Sequence, residues 1–150
     1  MGKDFYVSPI GILQIITDGK NLTNINLVHE IGENCPDALT AEVKRQLSLY
    51  FDGKLKKFDL PLKFDTSGFN GAVLTHMNKI PYGGTTTYGA LAEAAGSPKA
   101  YRYAGTCVGK NPIPIVMPCH RVVAKGGIGG FAWGLDIKRF LLNLEEKYSK

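Results

Sequence analysis

No run in this sequence comes near the roughly 20 consecutive apolar residues that a helix needs to cross a bilayer. Met1 to Pro9 has neither a basic leader nor an apolar signal core. A soluble, cytoplasmic protein with no membrane partner is therefore the expectation. Cysteine is scarce: Cys35, Cys107 and Cys119 cannot all pair with one another, which excludes a disulfide scaffold and leaves at least one thiol free. With His29, His76 and His120 they show neither C-x-x-C nor H-x-x-x-H spacing, so no metal site is expected. Acids are missing from one segment. Between Ser97 and Lys125 stand Lys99, Arg102, Lys110, Arg121 and Lys125, with no Asp or Glu among them.

What is present suffices for one ordinary domain or two small ones, at 150 residues, 44% hydrophobic and 21% charged. The net charge of +5 is unevenly placed. Residues 1–67 carry 8 basic and 9 acidic side chains, a net of −1, whereas residues 68–150 carry 10 and 4, a net of +6. A one-signed run is ordinarily a solvated face. Exclusion of acids is also what a surface approaching phosphates requires.

The pattern of elements divides the chain near Thr66-Ser67-Gly68 into an N-terminal α/β domain, 1–67, and a second domain, 68–150. In the first, Ile10 to Thr17 and Leu22 to Val28 read as a hairpin about Asp18-Gly19. Leu39, Val43, Leu47 and Tyr50 lie at helical spacing from Ala38 to Phe51, with Asp37 as N-cap and Asp52-Gly53 as the stop. Lys54 to Phe64, containing Pro61, reads as extended. In the second domain, Phe69, Val73, Met77 and Ile80 form one helical stripe that Pro81-Tyr82-Gly83-Gly84 breaks. Thr86 or Thr87 caps a short helix from Tyr88 that Gly96 ends. Ser97 as N-cap and Pro98 at the first helical position then start a helix to about Val108, giving a helix-turn-helix pattern. The prolines at 112 and 114 predict an extended path into the apolar run Ile115-Val116-Met117. A last helix, Leu135 to Tyr148, is expected to bury Ile137, Phe140, Leu141, Leu144 and Tyr148. Glu145 at the edge of that face either reaches water or is held by a buried partner. The fold class is α+β: a small antiparallel sheet with a helix, followed by a mostly helical, winged-helix-like domain.

Cys119 stands between a proline-framed apolar segment and His120-Arg121, and cationic neighbours in an acid-free segment favour a thiolate. That makes Cys119 the candidate nucleophile; the alternative is a small buried hydrophobe. Neighbouring residues of an extended chain point to opposite sides, so His120 would act through a water or after a local bend. Glu145 is the best-placed carboxylate to orient the imidazole. The glycines at 126, 127, 129 and 130, followed by Phe131-Ala132-Trp133, read as a loop able to reshape around a ligand.

The string Asn111-Pro-Ile-Pro-Ile-Val-Met-Pro-Cys-His-Arg-Val-Val123 closely resembles the active-site signature of the O6-alkylguanine-DNA alkyltransferases, or methylated-DNA–protein-cysteine methyltransferases. Ile80-Pro-Tyr-Gly, Thr87-Tyr-Gly-Ala-Leu-Ala92, Ser97-Pro-Lys-Ala100 with Arg102, Gly129-Gly-Phe-Ala-Trp-Gly134, and Lys138 with Leu141-Leu142 and Glu145 resemble family blocks in the family's order. The resemblance implies DNA repair by direct reversal. The Cys119 thiolate takes the alkyl group from O6 of guanine, irreversibly and once per protein molecule, with O4-alkylthymine a second candidate substrate and no cofactor. It implies that His120 takes the thiol proton through a water, Glu145 holds the imidazole, Tyr88 donates to N3 of the leaving guanine, and Asn111 braces the active-site turn.

The target nucleotide would be flipped out of double-stranded DNA, Arg102 filling its place, with the helix Pro98 to Val108 in the minor groove and little sequence preference. The implied DNA contacts are Arg102 with Lys99, Ala100, Tyr101, Tyr103, Gly105, Arg121 and Thr87. The implied substrate pocket is Met117, Pro118, Val122, Phe131, Ala132 and Trp133, and the protein is expected to act as a monomer. The family usually has small residues on both sides of the intercalating arginine. Tyr101 and Tyr103 depart from this and would pack inward, contact sugars or change the docking depth. Trp133 is expected to narrow the pocket against bulky alkyl groups. A lesion binder that flips alkylguanine without reacting characteristically lacks the cysteine, and an acyl-transfer enzyme would need an oxyanion site that the sequence does not show.

Overall fold

Alternation builds the first sheet. In β2 (Gly11–Thr17) the side chains of Leu13, Ile15 and Thr17 are buried while those between them are partly exposed, and β2 pairs antiparallel with β3 (Leu22–Val28). The turn between them is made by Asp18, whose Oδ1 accepts from the amides of Lys20 and Asn21 at 2.9 and 2.7 Å, and by Gly19 at φ +94°. The structure is a computed structural model describing residues 1–149. It adds a strand that the sequence pattern did not predict, β1 (Gly2–Ser8), which completes an antiparallel sheet in the order β1-β2-β3. Lys3 and Asp4 interrupt its apolar alternation, so the strand rests on backbone pairing from Gly2↔Thr17 to Ser8↔Gly11.

Helix α1 (Ala38–Phe51) runs over the predicted residues and lays Val43, Leu47 and Tyr50 into the core beside β1 and β2. Asp37 caps it: its Oδ1 accepts from the Thr40 amide at 2.7 Å, and the Thr40 hydroxyl accepts from the Asp37 amide at 2.9 Å. The other Asp37 oxygen accepts from the Thr17 hydroxyl at 2.7 Å, which itself accepts from the Gly2 amide at 3.0 Å. One carboxylate therefore joins β1, β2 and α1. The buried amide of Gln46 brackets the extended stretch by pairing with both backbone groups of Asp59. Leu22 pairs with the 61–63 backbone, closing a compact unit from Met1 to Lys63.

A second compact unit runs from Phe64 onward. Helix α2 (Gly68–Met77) buries Val73, Leu74 and Met77. Strand β4 (Thr86–Thr87) leads directly into α3 (Tyr88–Ala94), whose Ala90 amide is capped by the Thr87 hydroxyl at 3.1 Å. Helix α4 (Tyr101–Gly109) packs against α3 as the second arm of the helix-turn-helix. It starts later than Ser97-Pro98 predicts. The Ser97 amide is bonded to the Ala92 carbonyl at the end of α3, and the Ala100 amide to Ser97 O, so residues 97–100 form a turn. Ala100 is the N-cap and supplies no side-chain bond. Lys99 accordingly lies in the turn, and Arg102 is the second residue of the helix.

Two further differences shape the site. The segment after Pro112 turns instead of running extended: Met117 N donates to Ile113 O and Val116 N to Pro114 O, both at 2.9 Å. Ile115 takes φ +74° at the bend, the only non-glycine residue with positive φ among the described residues. A β-branched residue there stores strain of order 1–3 kcal/mol. The Asn111 side chain offsets it by spanning the bend, Nδ2 donating to Met117 O at 2.8 Å and Oδ1 accepting from Ile113 N at 3.0 Å. The chain then makes one 3₁₀ turn, Cys119–Arg121, and enters β5 (Val122–Val123), which pairs in parallel with β4. In α5 (Leu135–Tyr148) the fully buried stripe is Lys138, Leu141 and Glu145, whereas Phe140, expected inside, is 38% exposed. The apolar stripe misleads because two charged residues find buried partners.

Asp37→Ala is expected to lower stability by about 1 kcal/mol for the lost cap, with a further loss from the stranded Thr17 hydroxyl. Asp37→Asn should recover most of it. Urea unfolding of the three proteins checks this; an unchanged midpoint in Asp37→Ala would count against the cap.

Candidate active site

Proline, bend and 3₁₀ turn together present one sulfur. Cys119 is 4% exposed and forms part of the wall of a cavity of about 180 Å³. Tyr88, Asn111, Phe131, Ala132 and Trp133 line it as well, the last with its ring edge-on to Phe131 at 6.1 Å. Of the predicted pocket residues, Met117, Pro118 and Val122 do not line the cavity; they are buried. Gly105, expected at the DNA surface, lines the cavity beside the Tyr88 ring.

The thiol is not poised as the sequence suggested. Burial pushes the Cys119 pKa up to about 11, against the opposing pull of the Asn111 side chain, the amides of Cys119 and His120, and Lys138. Arg121, the cation two residues on, is not turned to the thiol. Its guanidinium is buried, donating to Glu145 Oε1 at 2.8 Å, Glu145 Oε2 at 3.0 Å and the Ile80 carbonyl at 2.7 Å. It therefore faces the carboxylate, and being enclosed it is no DNA contact, which corrects that assignment.

Glu145 is the hub. It is 1% exposed, and besides Arg121 it takes His120 Nε2 at 2.6 Å and the Gly83 amide at 3.2 Å. Burial alone would raise its pKa, but the bonds from His120 and Arg121 outweigh this and hold it at about 2. An ionised carboxylate only accepts, so Nε2 must carry the hydrogen. Burial, aided by the charges of Arg121 and Lys138, lowers the His120 pKa despite Glu145. A neutral imidazole with its hydrogen on Nε2 has a bare lone pair on Nδ1, and that atom has no hydrogen-bond partner among the described residues. The bend that sets this up is the 3₁₀ turn. The arrangement is a buried thiol beside a neutral imidazole whose free nitrogen is a base.

Lys138 was not identified as a site residue. Its Nζ donates to Val122 O at 2.6 Å and Gly130 O at 2.9 Å, joining β5 to the glycine-rich loop, and burial lowers its pKa to about 8. The same Gly130 holds the Tyr88 hydroxyl through long bonds of 3.3 and 3.4 Å. Burial raises the Tyr88 pKa, so the phenol stays a donor. Gly129, at φ +77°, has room for no side chain, since a Cβ there would lie 2.9 Å from the Tyr88 hydroxyl. The available signal for Lys138 was its place one turn before Leu141 and two before Glu145. The remaining candidates, Lys99, Arg102, Tyr101 and Tyr103, are exposed on the turn and α4, with Ala100 and Thr87 half-buried beside them. No group of three or more His, Cys, Asp or Glu among the described residues is arranged to hold a metal.

A helix-turn-helix unit that encloses a cysteine next to a carboxylate-held histidine defines a cysteine-dependent, DNA-binding class of protein. Residues 68–147 match the family described as 6-O-methylguanine DNA methyltransferase, DNA binding domain, and residues 1–64 its ribonuclease-like domain. The chain belongs to this family. It is 41% identical over 148 residues to the methylated-DNA–protein-cysteine methyltransferase of Methanosarcina acetivorans, covering 93% of this chain and 95% of that one. Among solved structures it resembles the Mycobacterium tuberculosis O6-methylguanine methyltransferase, with TM-score 0.88 and 35% identity over 99% of this chain and 94% of the other. It also resembles the M. tuberculosis OGT in complex with DNA, with TM-score 0.87 and 36% identity over 96% and 92% of the two chains.

The buried pair makes the fold acid-labile in two stages. His120 has a lowered pKa in the folded state, so the unfolded chain binds more protons below about pH 6.5, and stability falls as pH falls through that range. Glu145, at about 2 when folded against an ordinary value of 4.5, adds a second loss that starts below about 4.5. The melting temperature should therefore drop from pH 7 to pH 5 and more steeply below. His120→Gln should flatten the first stage and leave the second; equal slopes in both proteins from pH 7 to 5 would refute the assignment.

Proposed function

We propose that Cys119 is the alkyl acceptor in a direct-reversal repair reaction on O6-alkylguanine in DNA, performed once by each molecule. The observation that carries this reading is the enclosed Cys119 next to a His120 whose Nε2–H is fixed on Glu145, leaving Nδ1 as the base. With a thiol pKa near 11, little thiolate exists at neutral pH, so the proton must be removed as the substrate arrives. His120 takes it through a bridging water. The sulfur then attacks the alkyl carbon, the S–C bond forms as the C–O6 bond breaks, and the electron pair leaves with guanine. Tyr88 donates to N3 of that leaving group and recovers a proton from the site, so the proton lost by the thiol is the one guanine gains. The thioether has no further chemistry available, which makes the reaction irreversible and needs no cofactor.

DNA is bound by the helix-turn-helix unit, to which the family's DNA-binding description applies. We place α4 in the minor groove, with Arg102 entering the stack where the nucleotide leaves it, since a base in a duplex cannot reach a cavity walled by Tyr88 and Trp133. Contacts of this kind go to phosphate and sugar and carry little sequence preference. All the groups named lie on one chain, consistent with action as a monomer. A non-reacting lesion binder is disfavoured by Cys119 itself, which lines the cavity that would hold the base.

Incubation with an O6-methylguanine duplex should add a single CH₂ to the protein, localised by peptide mass mapping to Cys119. Cys119→Ala should bind the duplex and gain nothing; repeated turnover, or methylation elsewhere, would overturn the reading. Trp133 sets the alkyl range. Trp133→Gly is expected to raise the rate with O6-benzylguanine DNA at least about tenfold relative to the methyl adduct, corresponding to about 1.4 kcal/mol of relieved crowding. Equal ratios in the two proteins would show that the indole does not limit the pocket.

A further inference from the structure

The two tyrosines that flank Arg102 have different surroundings. Successive residues on a helix are about 100° apart, so Tyr101 and Tyr103 leave α4 on opposite sides of Arg102. Tyr103 stacks on Phe69 of α2 with ring centres 5.5 Å apart and planes within 17°. It is 56% exposed but anchored. Tyr101, 50% exposed, instead borders a second hollow of about 730 Å³. The other walls of that hollow are Thr87, Tyr88, Gly89, Ala124 and Lys125. Tyr88 is common to both cavities and forms the partition between them.

The chemistry of this hollow is specific. Gly89 and Ala124 leave room for close approach of a chain. The Thr87 hydroxyl is committed to capping α3, so the charged group at the hollow is the exposed ammonium of Lys125, which lies in the segment without acids. The Tyr101 ring lines the same hollow, with the Arg102 guanidinium 6.0 Å from its centre. An ammonium and an aromatic ring that share one solvent-open hollow match a deoxyribose with its phosphate. With a base seated on one side of Tyr88, the backbone that carries it must pass the other.

We propose that this second hollow is a sugar–phosphate clamp for the strand that carries the flipped nucleotide. Lys125 pairs with the phosphate and the Tyr101 ring packs on the sugar. The inference rests on the DNA reading above and extends it: the larger residues beside Arg102 divide the work, Tyr103 bracing α4 on α2 and Tyr101 gripping the strand.

Binding of an O6-methylguanine duplex, measured by fluorescence anisotropy from 50 to 300 mM NaCl, tests the clamp. Lys125→Ala should weaken binding and lower the slope of log affinity against log salt by about 0.9, the value for one phosphate contact on B-DNA. Tyr101→Ala should weaken binding several-fold with the slope unchanged, and Tyr101→Phe should bind like the parent because the ring is kept. Melting temperatures should match the parent in all three. An unchanged slope in Lys125→Ala overturns the clamp, as does equal weakening in Tyr101→Phe and Tyr101→Ala. Failure of the parent to methylate Cys119 would instead overturn the proposed function, while the salt slope would still decide whether Lys125 meets a phosphate.

Discussion

Burying Glu145 as an anion imposes a requirement on everything around it. Removing a carboxylate from water costs several kcal/mol unless its lone pairs are filled, and here Arg121, His120 and the Gly83 amide fill them. His120 and Arg121 come from the 3₁₀ turn and Gly83 from the loop after α2, so the carboxylate ties the end of α5 to both. The Arg121 guanidinium extends the tie through the Ile80 carbonyl. Because His120 is one residue from Cys119, the group that satisfies a buried charge also fixes the tautomer of the imidazole beside the sulfur.

The site keeps its thiol protonated. A low-pKa thiolate would react with any electrophile that reached it, and the cations near Cys119 in sequence suggested such a group. Enclosure reverses that expectation, since a thiolate without water is penalised more than the nearby amides and Asn111 compensate. A thiol held in this state needs a base to react, which is the part proposed for the bare Nδ1 of His120. The strained bend at Ile115, held by Asn111, leads the chain to Cys119 at the cavity wall.

Lys138 does for the glycine-rich loop what Glu145 does for the turn. A buried ammonium needs acceptors, and the two carbonyls it finds belong to β5 and to Gly130, the residue that also meets the Tyr88 hydroxyl. A loop whose glycines permit many conformations is thereby held at one end. Tyr88 stands at the centre of the resulting surface, the partition between the cavity of the thiol and the hollow bordered by Tyr101.

Local patterns in the sequence determined α1 and its Asp37 cap, the β2–β3 hairpin, the short helix capped by Thr87, the acid-free basic segment, and the motif that marks the chain as a family member. Each depends on residues near one another along the chain, where periodicity and side-chain capping act directly. Tertiary structure alone decided that β1 pairs along an edge with a weak pattern of its own, that α4 begins after a turn closed by Ser97, and that Phe140 faces outward while Lys138 and Glu145 face inward. It also decided that Arg121 serves a carboxylate and not a phosphate, and that the thiol is kept protonated. The physical reason is common to all of these. The energy of a buried charge, like that of an edge strand, lies in partners contributed by distant segments, and desolvation is a property of the enclosed site that no run of neighbouring residues carries.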